Sequence, residues 1–409
     1  MEEWKEYRLG DIIAIKSGFA YKGDMIGYGE NILLGMGCVS YKERFLLSGA
    51  RSYAGDCADR YCANSGDIVL ATRQQSDNLP ILGMPAIIPN ELSEKRIIIG
   101  ANLYRIDNES DFSNEYIYWL LKTPLYVNHI RSCQSGTTVR MITKANIEDF
   151  RFKAPGRKER ERITSFLKSL DDKIEVNRRI NDNLEQQAQA LFKSWFVDFE
   201  PFRDQPFVES ELGMIPEGWS VGNIYEYIDV IYGAPYKSTL FNDNKDGLPL
   251  IRIRVLKTNA PQFYTPEVLP NTEYINAGDI VAGMDAEFIP YVWLGEKGVL
   301  NQRCCKFKGK NEAISNYYIL FLIKPELEYV QSYKTGTTVS HLGKSDIDRF
   351  RFITPPLDVV LTFSEKINAM KQEVVSRAKE SRRLAELRDT LLPRLMSGEL
   401  KVNEIENTI

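Results

Sequence analysis

The chain has 409 residues, which at about 150 residues per domain predicts two or three domains. Lys and Arg number 52 and Asp and Glu 56, so the net charge is −4, and 43% of the residues are hydrophobic and 26% charged. These values exclude a disordered, collagen-like or mainly coiled-coil chain. They also exclude a globally basic protein, so a nucleic-acid site must be a local patch.

Membrane and metal signals are weak. The longest apolar runs, 116–121 and 319–323, fall far short of the roughly 18 residues that span a bilayer, and the N-terminus is acidic and polar. The six cysteines form no Cys-x-x-Cys pair and the chain has two histidines. We therefore expect no metal site, and we expect reduced, buried cysteines in a cytoplasmic protein.

The first 156 residues show a mixed pattern. Short apolar runs at 67–72 and 96–99 predict strands, and the aromatic, apolar segment 116–122 predicts a helix. Because such segments alternate with loops rich in Gly, Pro and Asn, we expect an α+β domain.

No phosphate-binding glycine loop, Pro-Pro-aromatic motif or nucleophile–base set is recognisable in the sequence, so the chain is expected to be non-catalytic.

Two loops of this domain are candidate DNA contacts. Arg73, Gln74 and Gln75 follow the strand at 67–72, and Arg and Gln carry the forked donors that match guanine and adenine edges. Thr137 and Thr138 lie in a Gly-Thr-Thr turn whose N–H and hydroxyl groups suit phosphate oxygens. The alternatives are a solvated loop and a purely structural turn.

The Gly-Thr-Thr turn lies in a basic stretch. Residues 131–162 hold nine basic and four acidic side chains, a local charge of +5, and Arg140 and Lys144 flank the turn. Phe150 and Phe152 alternate with Arg151, which predicts a strand with the Phe side buried.

A long helix is predicted over residues 157–200. Apolar and small polar residues recur at alternating spacings of three and four, as in the a/d seam of a coiled coil. The seam positions hold Ile163, Leu167, Leu170, Ile174, Asn177, Asn181, Leu184, Ala188, Leu191 and Trp195.

Residues 201–356 repeat the first domain. Residues 336–355 match residues 136–155 at ten of twenty positions, and the Gly-Asp-Ile-Val at 66–69 returns at 278–281. Segments 20–60 and 230–270 do not match, which predicts one architecture with unlike inserts aimed at two targets. Candidate DNA contacts of this half are Arg252, Arg254, Thr337, Thr338, His341 and Lys344.

Residues 357–409 predict a second long helix and a tail. Adding 200 to each seam position of the first helix gives a second seam in the same phase, also polar at its centre. We predict that the helices form an antiparallel coiled coil, with the domains related by a pseudo-two-fold axis at its ends. The alternative is two independent surface helices, each packed on its own domain.

Three segments resemble one family, the specificity (S) subunits of Type I restriction-modification systems. They are Leu-Phe-Lys-Ser-Trp-Phe-Val-Asp-Phe at 191–199, Leu-Gly-Met-Ile-Pro-Glu-Gly-Trp at 212–219 and Leu-Leu-Pro-Arg-Leu-Met-Ser-Gly-Glu-Leu at 391–400. The resemblance covers essentially the whole chain in order and spacing.

The resemblance implies that residues 1–156 and 201–356 are target recognition domains, each reading half of a bipartite site in double-stranded DNA. It implies two modification (M) subunits that use S-adenosylmethionine to methylate adenine N6. It also implies restriction (R) subunits that use ATP and Mg²⁺, with no cofactor and no membrane contact for this chain.

Exposed aromatic residues at the end of the first helix, Trp195, Phe196 and Phe199, are expected to need a partner. The candidate partner-binding residues are Leu184, Leu191, Trp195, Phe196, Leu384, Leu391 and Leu395. The competing function is a coiled-coil adaptor without sequence-specific DNA binding.

Overall fold

The computed structural model describes residues 4–74, 81–136, 139–334 and 341–406. The chain forms two compact units, unit 1 from Met1–Asp172 with Leu384–Ile409, and unit 2 from Lys173–Arg383. Each unit therefore combines one mixed domain with a stretch of both long helices.

Unit 1 holds twelve short strands among its described residues. They are β1 Lys5–Arg8, β2 Ile13–Ser17, β3 Ile26–Leu34, β4 Ala50–Tyr53, β5 Cys62–Ala63, β6 Ile68–Ala71, β7 Arg73–Gln74, β8 Pro85–Ile87, β9 Ile97–Ile99, β10 Leu103–Asn108, β11 Arg140–Met141 and β12 Arg151–Ala154. Its α-helices are α1 Asn114–Leu120, α2 Pro124–Cys133, α3 Lys144–Glu148, the first part of α4 Arg157–Phe196, the last part of α8 Leu357–Ser397, and α9 Val402–Glu406.

Two four-stranded sheets form the domain of unit 1. The main sheet has the order β2-β10-β6-β8 and the side sheet β4-β3-β9-β5. The central strand β6 is buried at every position because it packs on both faces. Ile68 and Leu70 join the core under α1 and the long helices, and Val69 and Ala71 join the core under the side sheet. This two-sided burial explains the continuous apolar run.

Unit 2 repeats the pattern with twelve strands among its described residues. They are β13 Phe207–Ser210, β14 Gly213–Pro216, β15 Ser220–Asn223, β16 Ile228–Tyr232, β17 Leu248–Ile251, β18 Tyr264–Thr265, β19 Tyr274–Ile275, β20 Ile280–Gly283, β21 Pro290–Val292, β22 Gly298–Leu300, β23 Cys304–Gly309 and β24 Arg351–Thr354. Its remaining helices are α5 Ile253–Leu256, α6 Asn316–Lys334 and α7 Lys344–Ile347.

The sheets of the two units have the same topology. The main sheet of unit 2 has the order β16-β23-β20-β21 and its side sheet β18-β17-β22-β19, and β1-β12 recurs as β15-β24. One parallel pair occurs in each side sheet, β3 with β9 and β17 with β22. The expectation of unlike inserts at 20–60 and 230–270 is therefore wrong at the level of topology, because the side-sheet strands of those segments occupy equivalent places.

A close backbone crossing recurs beside each main sheet. Phe19 bridges Gly100 in unit 1, and Ala234 bridges Asn301 in unit 2. A Cβ on Gly18 would lie 2.1 Å from the Gly100 carbonyl oxygen, and one on Gly233 would lie 2.1 Å from that of Asn301. Glycine is required at both crossings because no side chain fits there.

The long helices pair in antiparallel fashion within each unit. In unit 2, Arg377 Nη1 donates to Asn177 Oδ1 at 3.1 Å, and Asn181 Nδ2 donates to the Val374 carbonyl oxygen at 3.2 Å. In unit 1, Arg388 Nη1 donates to Asp171 Oδ1 at 2.5 Å. The facing residue numbers fall as α4 advances, which confirms the antiparallel coiled coil and its polar centre.

The predicted seam changes spacing near the end of α4. The buried positions there are Ala188, Phe192 and Phe196, spaced by four, whereas Leu191 and Trp195 are half-buried. The spacing of buried positions changes because this part of the helix packs on the broad aromatic core of unit 2 as well as on α8. Within the described part of the chain, no helix is both long enough and apolar enough to cross a bilayer.

Candidate nucleic-acid interface

Two candidate loops of the first domain meet in space. β7 and β11 pair antiparallel, with Arg73 opposite Met141 and Gln74 opposite Arg140. Met141 also exchanges two backbone hydrogen bonds with Ser135, at 2.8 and 3.0 Å. The structure thus brings the loop after β6 and the segment after the Gly-Thr-Thr turn to one edge of the main sheet.

The side chains at this edge differ in exposure. Arg73 is exposed, whereas Gln74 is 6% exposed and its Oε1 accepts a hydrogen bond from the Leu82 N–H at 3.3 Å. Its amide is therefore turned into the fold, and a role of Gln74 in reading a base stays a prediction. Lys144 begins α3, and its ammonium lies 5.8 Å from the centre of the Tyr104 ring.

The second domain has an ionic cluster at the equivalent edge. The backbones of Asp285 and His341 form an isolated antiparallel β-bridge. Their side chains are also in contact, with Asp285 Oδ1 2.6 Å from His341 Nδ1. The other carboxylate oxygen of Asp285 pairs with the Arg303 guanidinium. Although partial burial opposes ionisation, the hydrogen bonds from His341 and Arg303 hold the pKa of Asp285 below its ordinary value. The Asp285 carboxylate therefore stays charged and orients both neighbours.

Three basic candidates of this domain lie outside the cluster. Arg252 precedes α5, and its guanidinium lies 5.8 and 5.7 Å from the ring centres of Phe241 and Phe263. Arg254 is exposed on α5, and Lys344 is exposed at the start of α7. The remaining candidates, Gln75, Thr137, Thr138, Thr337 and Thr338, lie outside the described residues.

Sequence reasoning missed Arg303 and Asn102. Each directly precedes a central strand of its main sheet, β23 and β10. The two segments share no letters that would reveal their equivalence, so the match appears only in the strand pairing. A DNA-binding role for any of these side chains stays a prediction.

The candidate partner-binding residues are less exposed than expected. Phe196 is 8% exposed, and its ring centre lies 4.8 Å from that of Phe363, while the Trp195 ring lies 5.6 Å from the same ring. Phe199 also packs partly buried on this core, so the expectation of exposed aromatic residues is wrong. Among the other candidates, Leu391 and Leu395 are buried and Leu184, Leu191 and Leu384 are half-buried. Their role in binding partners stays a prediction.

The cysteine and acidic side chains are potential metal ligands in the part of the chain that the structure describes. All six cysteines are free thiols. Within the described ranges, no group of three or more His, Cys, Asp or Glu side chains is arranged to hold a metal ion.

Comparison with known proteins agrees with the repeated fold. The profile of the Type I restriction modification DNA specificity domain matches residues 1–186 and 216–387. The Type I restriction enzyme HindI specificity subunit of Haemophilus influenzae is 24% identical over 98% of this chain and all of its own length. The MjaIX specificity subunit of Methanocaldococcus jannaschii is 27% identical over 71% of this chain and 70% of its own length.

A solved structure shares the fold. The S subunit of a Type I restriction-modification system from M. genitalium superposes with a TM-score of 0.51 at 14% identity, covering 97% of this chain and 96% of that one. Since the profile match spans both domains and most of both long helices, the chain belongs to the family of Type I restriction-modification DNA specificity subunits.

Proposed function

We propose that the chain reads a bipartite site in double-stranded DNA, one half with each domain, for a Type I restriction-modification complex. One observation carries the proposal: the same sheet topology occurs twice, whereas the side chains at the equivalent edges differ. Arg73 lies opposite Met141 in the first domain, and Asp285 lies opposite His341 in the second. Equal frames with unlike edges suit two unlike half-sites.

The proposal assigns two tasks to the paired long helices. They set the number of unread base pairs between the half-sites, and they dock two M methyltransferase subunits, with R subunits joining the assembly. S-adenosylmethionine, ATP and Mg²⁺ would be bound by those partners, and this chain would contribute recognition and no catalysis. The relatives named as specificity subunits support this division of labour.

Methylation mapping tests the reading role. The chain is co-expressed with the M methyltransferase subunit of the proposed complex, and N6-methyladenine is mapped across the host genome. We expect one motif with two unlike halves separated by unread bases. Replacing residues 1–156 by the corresponding domain of a relative should change one half and leave the other unchanged. A motif that changes in both halves, or in neither, would contradict the assignment.

Matched insertions test the spacing role. One heptad is added to α4 between residues 175 and 190, and one heptad to the facing stretch of α8, so that both seams keep their phase. Seven residues lengthen a helix by about 10 Å, close to three base pairs of DNA. The unread spacer should lengthen accordingly. A control insertion of one heptad in α4 alone breaks the pairing and should abolish methylation.

A DNA-binding experiment distinguishes the proposed function from the competing adaptor function. DNA binding by the chain together with its methyltransferase partner should weaken steeply with salt, because phosphate contacts release counterions. A bipartite oligonucleotide should also outcompete a scrambled one. An adaptor that contributes no DNA contacts would leave the affinity, salt slope and sequence preference of the methyltransferase partner unchanged.

A further inference from the structure

Three positions meet on a backbone frame in the first domain. The Thr72 N–H donates to the Asn102 carbonyl oxygen at 3.1 Å, and the Ile142 N–H donates to the Thr72 carbonyl oxygen at 3.2 Å. These bonds join the residue after β6, the residue before β10 and the residue after β11. Arg73 and Met141, the neighbours of two frame residues, lie opposite each other in the β7–β11 pair.

The second domain builds the same frame from other residues. The Met284 N–H donates to the Arg303 carbonyl oxygen at 2.9 Å, and the Leu342 N–H donates to the Met284 carbonyl oxygen at 2.7 Å. Asp285 and His341 form an antiparallel β-bridge, which corresponds to the pairing of Arg73 with Met141. The matching bonds show that Thr72 corresponds to Met284, Asn102 to Arg303 and Ile142 to Leu342.

Asn102 of the first domain corresponds to Arg303 of the second, and the paired neighbours of the frame, Arg73 and Met141, correspond to Asp285 and His341. These three positions differ in residue type between the domains. We call the first set triplet 1 and the second triplet 2, and both lie at the edge of the main sheet where candidate DNA contacts meet. Triplet 1 is Arg73, Asn102 and Met141, and triplet 2 is Asp285, Arg303 and His341. A retained frame with three replaced side chains is the arrangement expected of positions that decide which base is read.

Triplet 2 presents a held arginine. The side chain of Arg303 is 58% exposed, whereas its partner Asp285 is 17% exposed. Gln331 of α6 fixes the loop after Asp285, since it donates to the Ala286 carbonyl oxygen at 2.9 Å and accepts from the Phe288 N–H at 2.8 Å. A guanidinium held by a carboxylate on one side has its remaining N–H groups directed outward at little cost in side-chain entropy.

The exposed guanidinium of Arg303 has donors whose geometry matches guanine better than the other bases. Its paired N–H groups match guanine O6 and N7 in the major groove, the commonest specific contact of arginine. The Asp285 carboxylate, kept charged by its neighbours, fixes the orientation. His341, with 54% of its side chain exposed, lies on the other side of the same carboxylate and can donate to an adjacent phosphate or base.

Triplet 1 offers different chemistry on the same frame. Its arginine comes from position 73 rather than 303, and Met141 is 41% exposed, an apolar surface suited to a thymine methyl group. Asn102 lines an open cavity of about 350 Å³ together with Tyr21 and Arg51, so the position before β10 faces accessible space in this domain.

We propose that triplet 2 specifies a guanine in the half-site read by the second domain, with Arg303 contacting the base and Asp285 acting as its positioning residue. Triplet 1 is the corresponding specificity-determining set of the first domain. This inference rests on the proposed function, because it assumes that each domain reads half of a bipartite site.

Methylation mapping with single substitutions in the co-expressed complex tests the inference. Arg303→Ala should relax one guanine position of one half-site, with discrimination falling between about fivefold and a hundredfold, and leave the other half-site unchanged. Asp285→Asn should weaken the same position less, because the arginine remains but loses its charged partner. Arg351→Ala removes an exposed arginine on β24 of the same unit and should leave both half-sites unchanged.

A second variant guards against a general loss of binding. Arg303→Lys keeps the charge without the forked donors, so it should lose the same guanine preference even if Arg303→Ala abolishes methylation. If both half-sites stay as in the wild type in Arg303→Ala, or if Arg303→Lys keeps the full guanine preference, the inference is overturned while the proposed function stands. If the wild-type complex yields no bipartite motif, both are overturned.

Discussion

The buried ion pair between Asp171 and Arg388 tests how the long helices are held together in unit 1. Arg388 Nη1 lies 2.5 Å from Asp171 Oδ1, with the side chains 9% and 5% exposed. Arg44 Nη1 lies 3.5 Å from the other carboxylate oxygen. Burial disfavours the charged guanidinium, yet Asp171 and Asp389 raise the pKa of Arg388, so it stays charged. Arg388→Ala removes the closer cation and leaves a buried carboxylate.

The expected cost follows from that stranded charge. Removing one partner of a buried ion pair costs about 3–5 kcal/mol. Unit 1 contains roughly 200 residues, a size at which each kcal/mol shifts the melting temperature by about 2–4 °C. We therefore expect Arg388→Ala to lower the melting temperature of unit 1 by about 6–20 °C, nearer the smaller value because Arg44 remains.

Scanning calorimetry of the full chain measures the shift, with an exposed pair as control. Arg178 lies 2.7 Å from Asp182, and both side chains are more than half exposed. Arg178→Ala should cost about 0.5 kcal/mol or less. Equal shifts for the two alanine variants would refute the reasoning. The double variant with Asp171→Leu and Arg388→Met should recover most of the loss, because apolar replacement of a buried ion pair is often neutral. Without recovery, lost packing rather than the stranded charge explains the cost.

Four further substitutions test the packing of the units by the same calorimetry. Asn177→Ala removes a side chain that is 0% exposed and bonded across the helix pair, and leaving its partners unsatisfied should cost about 1–3 kcal/mol; an unshifted transition would contradict this. Phe363→Ala should cost about 3–5 kcal/mol, because the ring is 0% exposed at the centre of the aromatic cluster of unit 2. Gly18→Ala and Gly233→Ala should each lower the free energy of unfolding of their own unit by about 1–3 kcal/mol, since the added Cβ would lie 2.1 Å from a carbonyl oxygen. Gly23→Ala, with nothing within 4 Å, is their control and should be neutral.

Much of the local structure was predictable because it depends on residues close together in the chain. The apolar run at 67–72 became β6, and the alternation around Arg151 correctly buried Phe150 and Phe152 at 2% and 3% exposure. The heptad spacing located both long helices and the polar centre at Asn177. Periodicity reports which face of an element is buried, and that face dominates the energetics of helices and sheets.

The candidate site was only partly predictable because its geometry comes from long-range strand pairing. Arg73 and Met141 are joined by the register of β7 and β11, and no local pattern encodes that register. The same pairing turns Gln74 inward, although its residue type suits base reading. Arg303 drew no attention in the sequence because its equivalence to Asn102 rests on backbone hydrogen bonds rather than on shared residues.

The repeated frame separates stability from specificity in physical terms. Frame contacts are backbone hydrogen bonds directly beyond the ends of strands whose own side chains are buried, such as Ala282 and Cys305 at 0% exposure. Arg303 carries a side chain that is more than half exposed, and exposed substitutions change stability by about 0.5 kcal/mol or less. Arg303→Ala should therefore leave the transition of unit 2 nearly unmoved while it alters the methylated motif. A large drop in melting temperature in Arg303→Ala would show instead that its pair with Asp285 is a structural part of the domain, and the separation would fail.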